Sequence, residues 1–188
     1  MKLNNGIYDA NRLKINTSKS FIMFIGTKTK LKSIQKDNIH IKFKGDILVV
    51  TDKVRYLGLT IDEELNWNSH VCSVVKSAAP KLALMRRIAS IVPQKVMEQI
   101  FITYLRPILE YGITVWGKCT QSNFYKIQKV QNSAARLAVG NYDYIGTRSA
   151  DIIEGLNWQT MKERSDFLLA NLMYKCVHYL APNYLCDN

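Results

Sequence analysis

The spacing of apolar residues changes close to residue 62, and this change restricts the fold more than any other feature of the chain. Before it, Ile39, Ile41 and Phe43 alternate with polar neighbours, which is the period of a half-buried strand. After it, apolar residues recur every three or four positions, as on one face of a helix. The pattern predicts an α+β fold, with a small antiparallel sheet in residues 1–62 and a mostly helical bundle in residues 63–188.

Four strands are predicted in the first part of the chain. They cover residues 21–25, 39–44, 47–50 and 54–60. Gly45 and Asp46 separate the second strand from the third, so these two strands should form a hairpin. A helix is predicted to occupy residues 1–13, because the residues that follow it favour turns and caps.

Four helices are predicted in the second part of the chain. They cover residues 69–90, 95–116, 122–138 and 160–179. Pro80 should kink or split the first of them, because proline removes a backbone donor. Pro107 and Gly112 should bend or loosen the second helix, and Gly140 stands just beyond the end of the third, where glycine is common.

Composition limits the class of protein. The chain has 188 residues, of which 47% are hydrophobic, so it can bury a substantial core. No apolar run reaches about 18 residues and the amino terminus lacks the apolar stretch of a signal peptide. We therefore expect a soluble, intracellular protein with no membrane partner, in either the nucleus or the cytoplasm. The four cysteines are widely spread and form no C-x-x-C pair, which predicts reduced thiols and no zinc knuckle.

Positive charge is concentrated in the first third of the chain. The formal net charge is +11, and residues 1–60 hold 12 basic residues against 4 acidic ones. Such a balance attracts polyanions, most often nucleic acid, although solubilising lysines explain the charge equally well. Lys126, Lys129 and Arg136 lie close to one stripe of the third predicted helix. This stripe is a candidate for contacts to a nucleic-acid backbone, and the alternative is an ordinary solvated face.

Several short motifs occur in a fixed order along nearly the whole chain. They are Asn16-x-x-Lys19-Ser20-x-x-Met23-Phe24, Tyr56-Leu57-Gly58-Leu59, Pro107-x-x-Glu110-Tyr111, Val115-Trp116-Gly117, Gly155-Leu156-Asn157-Trp158 and the segment from Tyr174 to Leu185. The ordered set resembles the carboxy-terminal part of reverse transcriptases encoded by non-LTR, LINE-type retrotransposons.

The resemblance implies roles for particular residues. Lys19 would lie beside the incoming nucleotide, and Tyr56, Leu57 and Gly58 would belong to the primer grip. Residues 1–62 would be the end of the palm, and residues 63–188 the thumb and tail. The implied partner is an RNA or DNA template with its primer, and the family's cofactor is Mg²⁺.

The catalytic aspartate pair of that family is absent, because no two aspartates are adjacent anywhere in the 188 residues. Nucleotide addition needs two metal ions held by paired carboxylates. By resemblance, the chain is therefore expected to be a truncated fragment of an RNA-directed DNA polymerase, with no cofactor of its own and no activity alone.

Two other classes of function remain open. The chain could be a stand-alone nucleic-acid-binding module, which the charge of the first 60 residues favours. It could also be a helical protein-interaction domain that associates through apolar surface on residues 95–117. Trp67, Trp116 and Trp158 could stack on bases, but their apolar neighbours favour a role in the core.

Overall fold

The computed structural model describes residues 16–34, 39–43, 45–140 and 146–186. The chain divides into two compact units, Met1–Leu65 (unit 1) and Asn66–Asn188 (unit 2). The helix predicted over residues 1–13 lies outside the described residues. Short strands in unit 1 and helices in unit 2 agree with the predicted α+β fold.

The described residues of unit 1 form short strands, a 3-10 turn and one short helix. The described strands are β1 (Phe21–Ile22), β2 (Lys42–Phe43), β3 (Asp46–Ile47), β4 (Val49–Val50), β5 (Lys53–Tyr56) and β6 (Leu59–Asp62). They are accompanied by a 3-10 turn (Thr17–Lys19) and by helix α1 (Lys28–Ser33). Helix α1 was not predicted, and only one of its side chains, that of Leu31, is buried.

The pairing of the strands confirms one prediction and corrects another. Strands β2 and β3 pair antiparallel, with Phe43 opposite Asp46, so the predicted hairpin is present. Strands β1 and β4 pair in parallel, however, and the expectation of a wholly antiparallel sheet was wrong. This pairing joins residues 28 positions apart, a distance over which the local apolar pattern carries no information about direction.

The single strand predicted over residues 54–60 is a second hairpin. Strands β5 and β6 pair antiparallel, with Tyr56 opposite Leu59. Leu57 and Gly58 form the two-residue turn between them, with φ of 46° and 83°. Two successive positive φ angles are typical of the tight turns whose twist matches that of the flanking strands.

The described residues of unit 2 form helices joined by turns and loops, with no strand among them. Its helices are α2 (Asn68–Ile88), α3 (Gln94–Ile100), α4 (Arg106–Glu110), α5 (Ile113–Trp116), α6 (Gln121–Ala138), α7 (Ser149–Gly155), α8 (Met161–Val177) and α9 (Asn183–Cys186). Helix α2 continues through Pro80, which therefore does not split it. None of the described helices is both long and apolar enough to span a membrane.

The helix predicted over residues 95–116 is divided into several segments. A π-helical segment (Phe101–Leu105) joins α3 to α4, and Tyr111 and Gly112 separate α4 from α5. Gly112 has a φ of 64°, and the helix is interrupted there. The predicted effect of this glycine on the helix is therefore confirmed. Pro107 lies in the first turn of α4, directly after the π-helical segment.

The core of unit 2 forms where α2, α6 and the segments between residues 94 and 116 meet. Trp116, Phe101, Leu105 and Ile127 are almost wholly inaccessible. The ring of Trp158 stacks on that of Phe101, with the centroids 4.0 Å apart. Trp67 is buried as well, so packing explains the three tryptophans better than base stacking does.

His70 is buried among aromatic rings in this core. Its ring centroid lies 5.5 Å from that of Trp116 and 6.2 Å from that of Trp67. Burial lowers the pKa of His70 from its ordinary value, because the charged imidazolium would lose its hydration. The folded state therefore favours the neutral imidazole.

We expect this burial to make stability fall in mild acid. Below the ordinary pKa the unfolded chain binds a proton that the folded chain does not, so stability falls by up to about 1.4 kcal/mol per pH unit. Urea unfolding of the wild type and His70→Phe, at about pH 7.5 and about pH 5.5, measures the effect. The variant should lose less stability between the two pH values than the wild type. His40→Phe, at an exposed histidine, is the control, and equal losses in all three proteins would contradict the prediction.

Candidate nucleic-acid-binding surfaces

The 3-10 turn of unit 1 presents Lys19 to solvent. The side-chain Oδ1 of Asn16 accepts hydrogen bonds from the Ser18 amide at 3.0 Å and from the Ser18 hydroxyl at 2.6 Å. The Ser20 hydroxyl donates to the Asn16 carbonyl at 2.9 Å. The asparagine and serine of the Asn16-x-x-Lys19-Ser20 motif therefore hold the turn, and the lysine that it carries is exposed.

The turn of the β5–β6 hairpin carries the residues matched to the primer grip. Tyr56 and Leu57 are 63% and 75% exposed, so the tip presents an aromatic and an aliphatic side chain. Leu57 adopts a positive φ, as the two-residue turn requires at its first position. An exposed apolar tip on a tight turn is suited to contact with a partner.

The lysines and arginine of unit 1 are accessible to polyanions. Helix α1 contributes three of them and contains no acidic residue. The exposed cationic residues of the described part of unit 1 are Lys19, Lys28, Lys30, Lys32, Lys42, Lys53 and Arg55. The positive charge of residues 1–60 was predicted, but its concentration on helix α1 was not. The Lys28–Ser33 segment is too short to show an amphipathic period from which a helix could be predicted.

The cationic stripe predicted on α6 is only partly present. Lys126 and Lys129 are exposed, and the Lys129 Nζ lies 4.6 Å from the centroid of the Tyr125 ring. Arg136 does not share this surface, because it is 6% exposed. Its Nη2 donates to the Thr147 carbonyl at 2.8 Å and lies 3.1 Å from the Ser149 hydroxyl. Arg136 therefore attaches the chain before α7 to α6, and its assignment to a phosphate-binding stripe was wrong.

The Glu110 and Trp116 motifs hold α8 in place. The Arg164 Nε donates to Glu110 Oε1 at 2.9 Å, and the Trp116 Nε1 donates to the Tyr111 carbonyl at 2.8 Å. Gly117 packs directly against Ser165, which is 2% exposed. These motif residues therefore have a structural explanation within unit 2.

The acidic Asp62-Glu63-Glu64 segment begins at the last residue of β6. Within the described ranges, no group of three or more His, Cys, Asp or Glu side chains is placed to hold a metal ion. In the acidic Asp62-Glu63-Glu64 segment, Asp62 is 5% exposed at the end of β6. Its backbone carbonyl accepts a hydrogen bond from the Leu65 amide, which closes the turn that follows the strand.

Exposed apolar side chains occur in the segment predicted for protein interaction and also beyond it. Within residues 95–117 they are Val96, Tyr104, Tyr111 and Val115. A larger set follows the first turns of α8 and comprises Phe167, Met173, Tyr174, Val177, Tyr179, Leu180, Tyr184 and Leu185. Helix α8 buries only Met161 and Ser165.

Known relatives of the chain are polymerases of mobile elements. It is 26% identical over 155 residues to the probable RNA-directed DNA polymerase from transposon BS of Drosophila melanogaster, a match that covers 81% of this chain and 16% of the relative. It is 26% identical over 116 residues to the RNA-directed DNA polymerase from mobile element jockey of the same fly. This match covers 59% of this chain and 12% of the relative. It is 31% identical over 91 residues to the probable RNA-directed DNA polymerase from transposon X-element of Drosophila melanogaster. This match covers 46% of this chain and 10% of the relative.

These similarities confirm the predicted resemblance to polymerases of non-LTR elements. The matches span no more than 16% of any of these three relatives. No protein-family model matches the chain, and no solved structure matches it.

Proposed function

We propose that these 188 residues are a carboxy-terminal part of the RNA-directed DNA polymerase of a LINE-type element and that they contact the template and primer. The observation that carries the proposal is the similarity to the transposon BS polymerase over 81% of the chain. Unit 1 would then contain the end of the palm with the primer grip. Unit 2 would contain the thumb and tail.

The exposed hairpin tip supports a primer-grip role for Tyr56, Leu57 and Gly58. A tight turn carries its side chains away from the sheet, and Gly58 leaves room for a sugar-phosphate backbone to approach closely. Lys19 and the lysines of α1 would supply charge to neutralise phosphates. These contacts position a nucleic acid without reading its sequence.

Phosphoryl transfer would depend on residues other than these. A lysine such as Lys19 can stabilise negative charge or donate a proton, but the nucleotidyl transfer of this class also needs two metal ions between paired carboxylates. Since the 188 residues contain no adjacent aspartates, we assign to them the binding of nucleic acid and not the chemical step.

Binding to a primed RNA template should be independent of sequence and should weaken steeply as salt rises. Each phosphate neutralised contributes roughly 0.7 to 0.9 to the slope of log affinity against log salt. Replacing Lys28, Lys30 and Lys32 together by alanine should therefore reduce the slope by about two. Fluorescence anisotropy with a labelled template and primer, titrated at several salt concentrations, measures both the affinity and the slope.

The matched control replaces the same three lysines by arginine. It keeps the charge and should keep the slope, whereas loss of the slope in both variants would indicate damage to the fold. If the alanine variant kept the wild-type slope and affinity, α1 would not be part of the binding surface. A chain that does not bind the template but associates with itself as concentration rises would favour a protein-interaction domain.

A further inference from the structure

A cleft in unit 2 combines an aromatic wall with clustered lysines. It lies between the chain after α5, the first turns of α6 and the first turn of α8, and its volume is about 480 Å³. This volume lies within the range typical of sites for small ligands. We name it the Tyr125 cleft, and the lining residues that matter here are Lys118, Cys119, Phe124, Tyr125, Gln128 and Lys162.

The aromatic wall of the cleft is accessible. Tyr125 is 59% exposed, although it belongs to a well-packed helix. The adjacent Phe124 is buried, and the Lys162 Nζ lies 5.7 Å from the centroid of its ring. An exposed aromatic ring beside lysines is the arrangement on which unpaired bases stack in single-stranded nucleic acids, while the cations attract the phosphates.

Two lysines that line the cleft come from separate elements and meet at one carboxylate beside it. The Nζ atoms of Lys118 and Lys162 lie 3.3 Å and 3.0 Å from the same oxygen, Oδ1 of Asp166. Hydrogen bonds from the two ammonium groups lower the pKa of Asp166, which is therefore ionised at neutral pH. One carboxylate against two ammonium groups leaves a net positive charge, and no acidic residue lines the cleft itself.

The thiol in the cleft lacks the features of a nucleophile. Burial raises the pKa of Cys119, and this effect exceeds the opposing influence of its backbone hydrogen bond and of Lys162. The thiol is therefore protonated at neutral pH, whereas a reactive cysteine needs a lowered pKa. The cleft is suited to binding rather than to covalent chemistry.

We propose that the Tyr125 cleft binds one unpaired nucleotide of a single-stranded RNA or DNA. The base stacks on the Tyr125 ring, and its phosphate lies beside the ammonium groups of Lys118 and Lys162, which also hold the Asp166 carboxylate. The site deepens the proposed function and rests on it, since it assigns to unit 2 a contact with single strands. Charge complementarity favours this occupant over an apolar peptide, which would gain nothing from the lysines.

The test uses the full 188-residue chain and a labelled oligouridine of about 12 nucleotides. Tyr125→Ala should weaken binding about tenfold, and Tyr125→Phe should keep it, because only the former removes the stacking surface. Lys118→Ala with Lys162→Ala should lower the slope of log affinity against log salt by about 0.7, because the two lysines neutralise one phosphate of a single strand. Tyr174→Ala and Lys175→Ala, at exposed positions on α8 outside the cleft, are matched controls that should change neither quantity.

Alkylation of the cysteines gives an independent measure of where the oligonucleotide lies. Bound oligouridine should slow the modification of Cys119 by N-ethylmaleimide, as measured peptide by peptide in a mass spectrometer. The exposed Cys72 should react at an unchanged rate. An oligomer of the same length with abasic sugars should protect Cys119 much less, because it carries the phosphates without the bases.

Several outcomes would overturn the inference while leaving the proposed function intact. Oligouridine that binds without protecting Cys119, or that binds Tyr125→Ala as tightly as the wild type, would place the single strand elsewhere. Equal protection by the abasic oligomer would exclude stacking. Protection by an apolar peptide alone would assign the cleft to a protein partner. If the α1 alanine variant loses the primed template while cleft variants retain it, the proposed function stands without this site.

Discussion

Replacing Trp116 by alanine is expected to destabilise unit 2 by about 3–5 kcal/mol, which is the usual cost of deleting a large buried aromatic side chain. The Trp116 side chain is wholly inaccessible, and its ring lies against those of His70 and Phe124. The substitution also removes the hydrogen bond from Nε1 to the Tyr111 carbonyl. Because domains are commonly stable by about 5–15 kcal/mol, such a loss could unfold much of the population.

Urea unfolding followed by circular dichroism measures this effect without relying on tryptophan fluorescence. Val115→Ala is the matched control, because Val115 lies in the same short helix and is 57% exposed. It should change stability by no more than about 0.5 kcal/mol. If the two variants unfolded at the same urea concentration, Trp116 would not be the central packing residue that the structure describes.

Replacing Gly117 by alanine should cost about 3 kcal/mol, the upper end of the range for overpacking. A Cβ atom at this position would overlap both the Ile113 carbonyl oxygen and the Ser165 hydroxyl. The φ of Gly117 is −67°, which any residue adopts, so lack of space and not backbone conformation requires glycine. Relieving the overlap with Ser165 would require its hydroxyl to rotate or α8 to shift, and relieving the overlap with the Ile113 carbonyl would require the backbone at the end of α5 to move.

A double-mutant cycle isolates the part of this cost that Ser165 contributes. In a chain that already carries Ser165→Ala, the further change Gly117→Ala should cost less than in the wild type, although the overlap with the Ile113 carbonyl remains. Gly155→Ala is the control, because its Cβ would meet no atom within 4 Å. This control should leave stability unchanged or raise it by up to about 1 kcal/mol. Equal effects of Gly117→Ala and Gly155→Ala would contradict the close packing of α8.

Helices α2 and α6 could be predicted from the sequence because each carries its own amphipathic pattern over several turns. Helix α2 covers Asn68–Ile88, and residues 69–90 were predicted; helix α6 covers Gln121–Ala138, and residues 122–138 were predicted. Thr160 and Glu163 form a capping box at the start of α8, so the predicted beginning at residue 160 has a local cause.

The interruptions between residues 94 and 116 could not be predicted in the same way. The apolar spacing of an α-helix and that of a short π-helical segment are almost the same over five residues. The π-helical segment contains Phe101, whose ring stacks on that of Trp158, a residue 57 positions further along the chain. The π-helical segment thus occurs where Phe101 packs against Trp158. A prediction from neighbouring residues does not include Trp158, because that residue lies far along the chain.

The sequence by itself determined the change from strands to helices near residue 62, the excess of positive charge in the first third and the resemblance to mobile-element polymerases. Each of these is a property of residues close together in the chain or of their order. Only the tertiary structure decided that β1 pairs in parallel with β4 and that Arg136 is buried. It also decided that Lys118 and Lys162 meet at one carboxylate oxygen. Contacts between residues tens of positions apart depend on how whole elements pack, and periodicity along one element does not specify which other element will cover it.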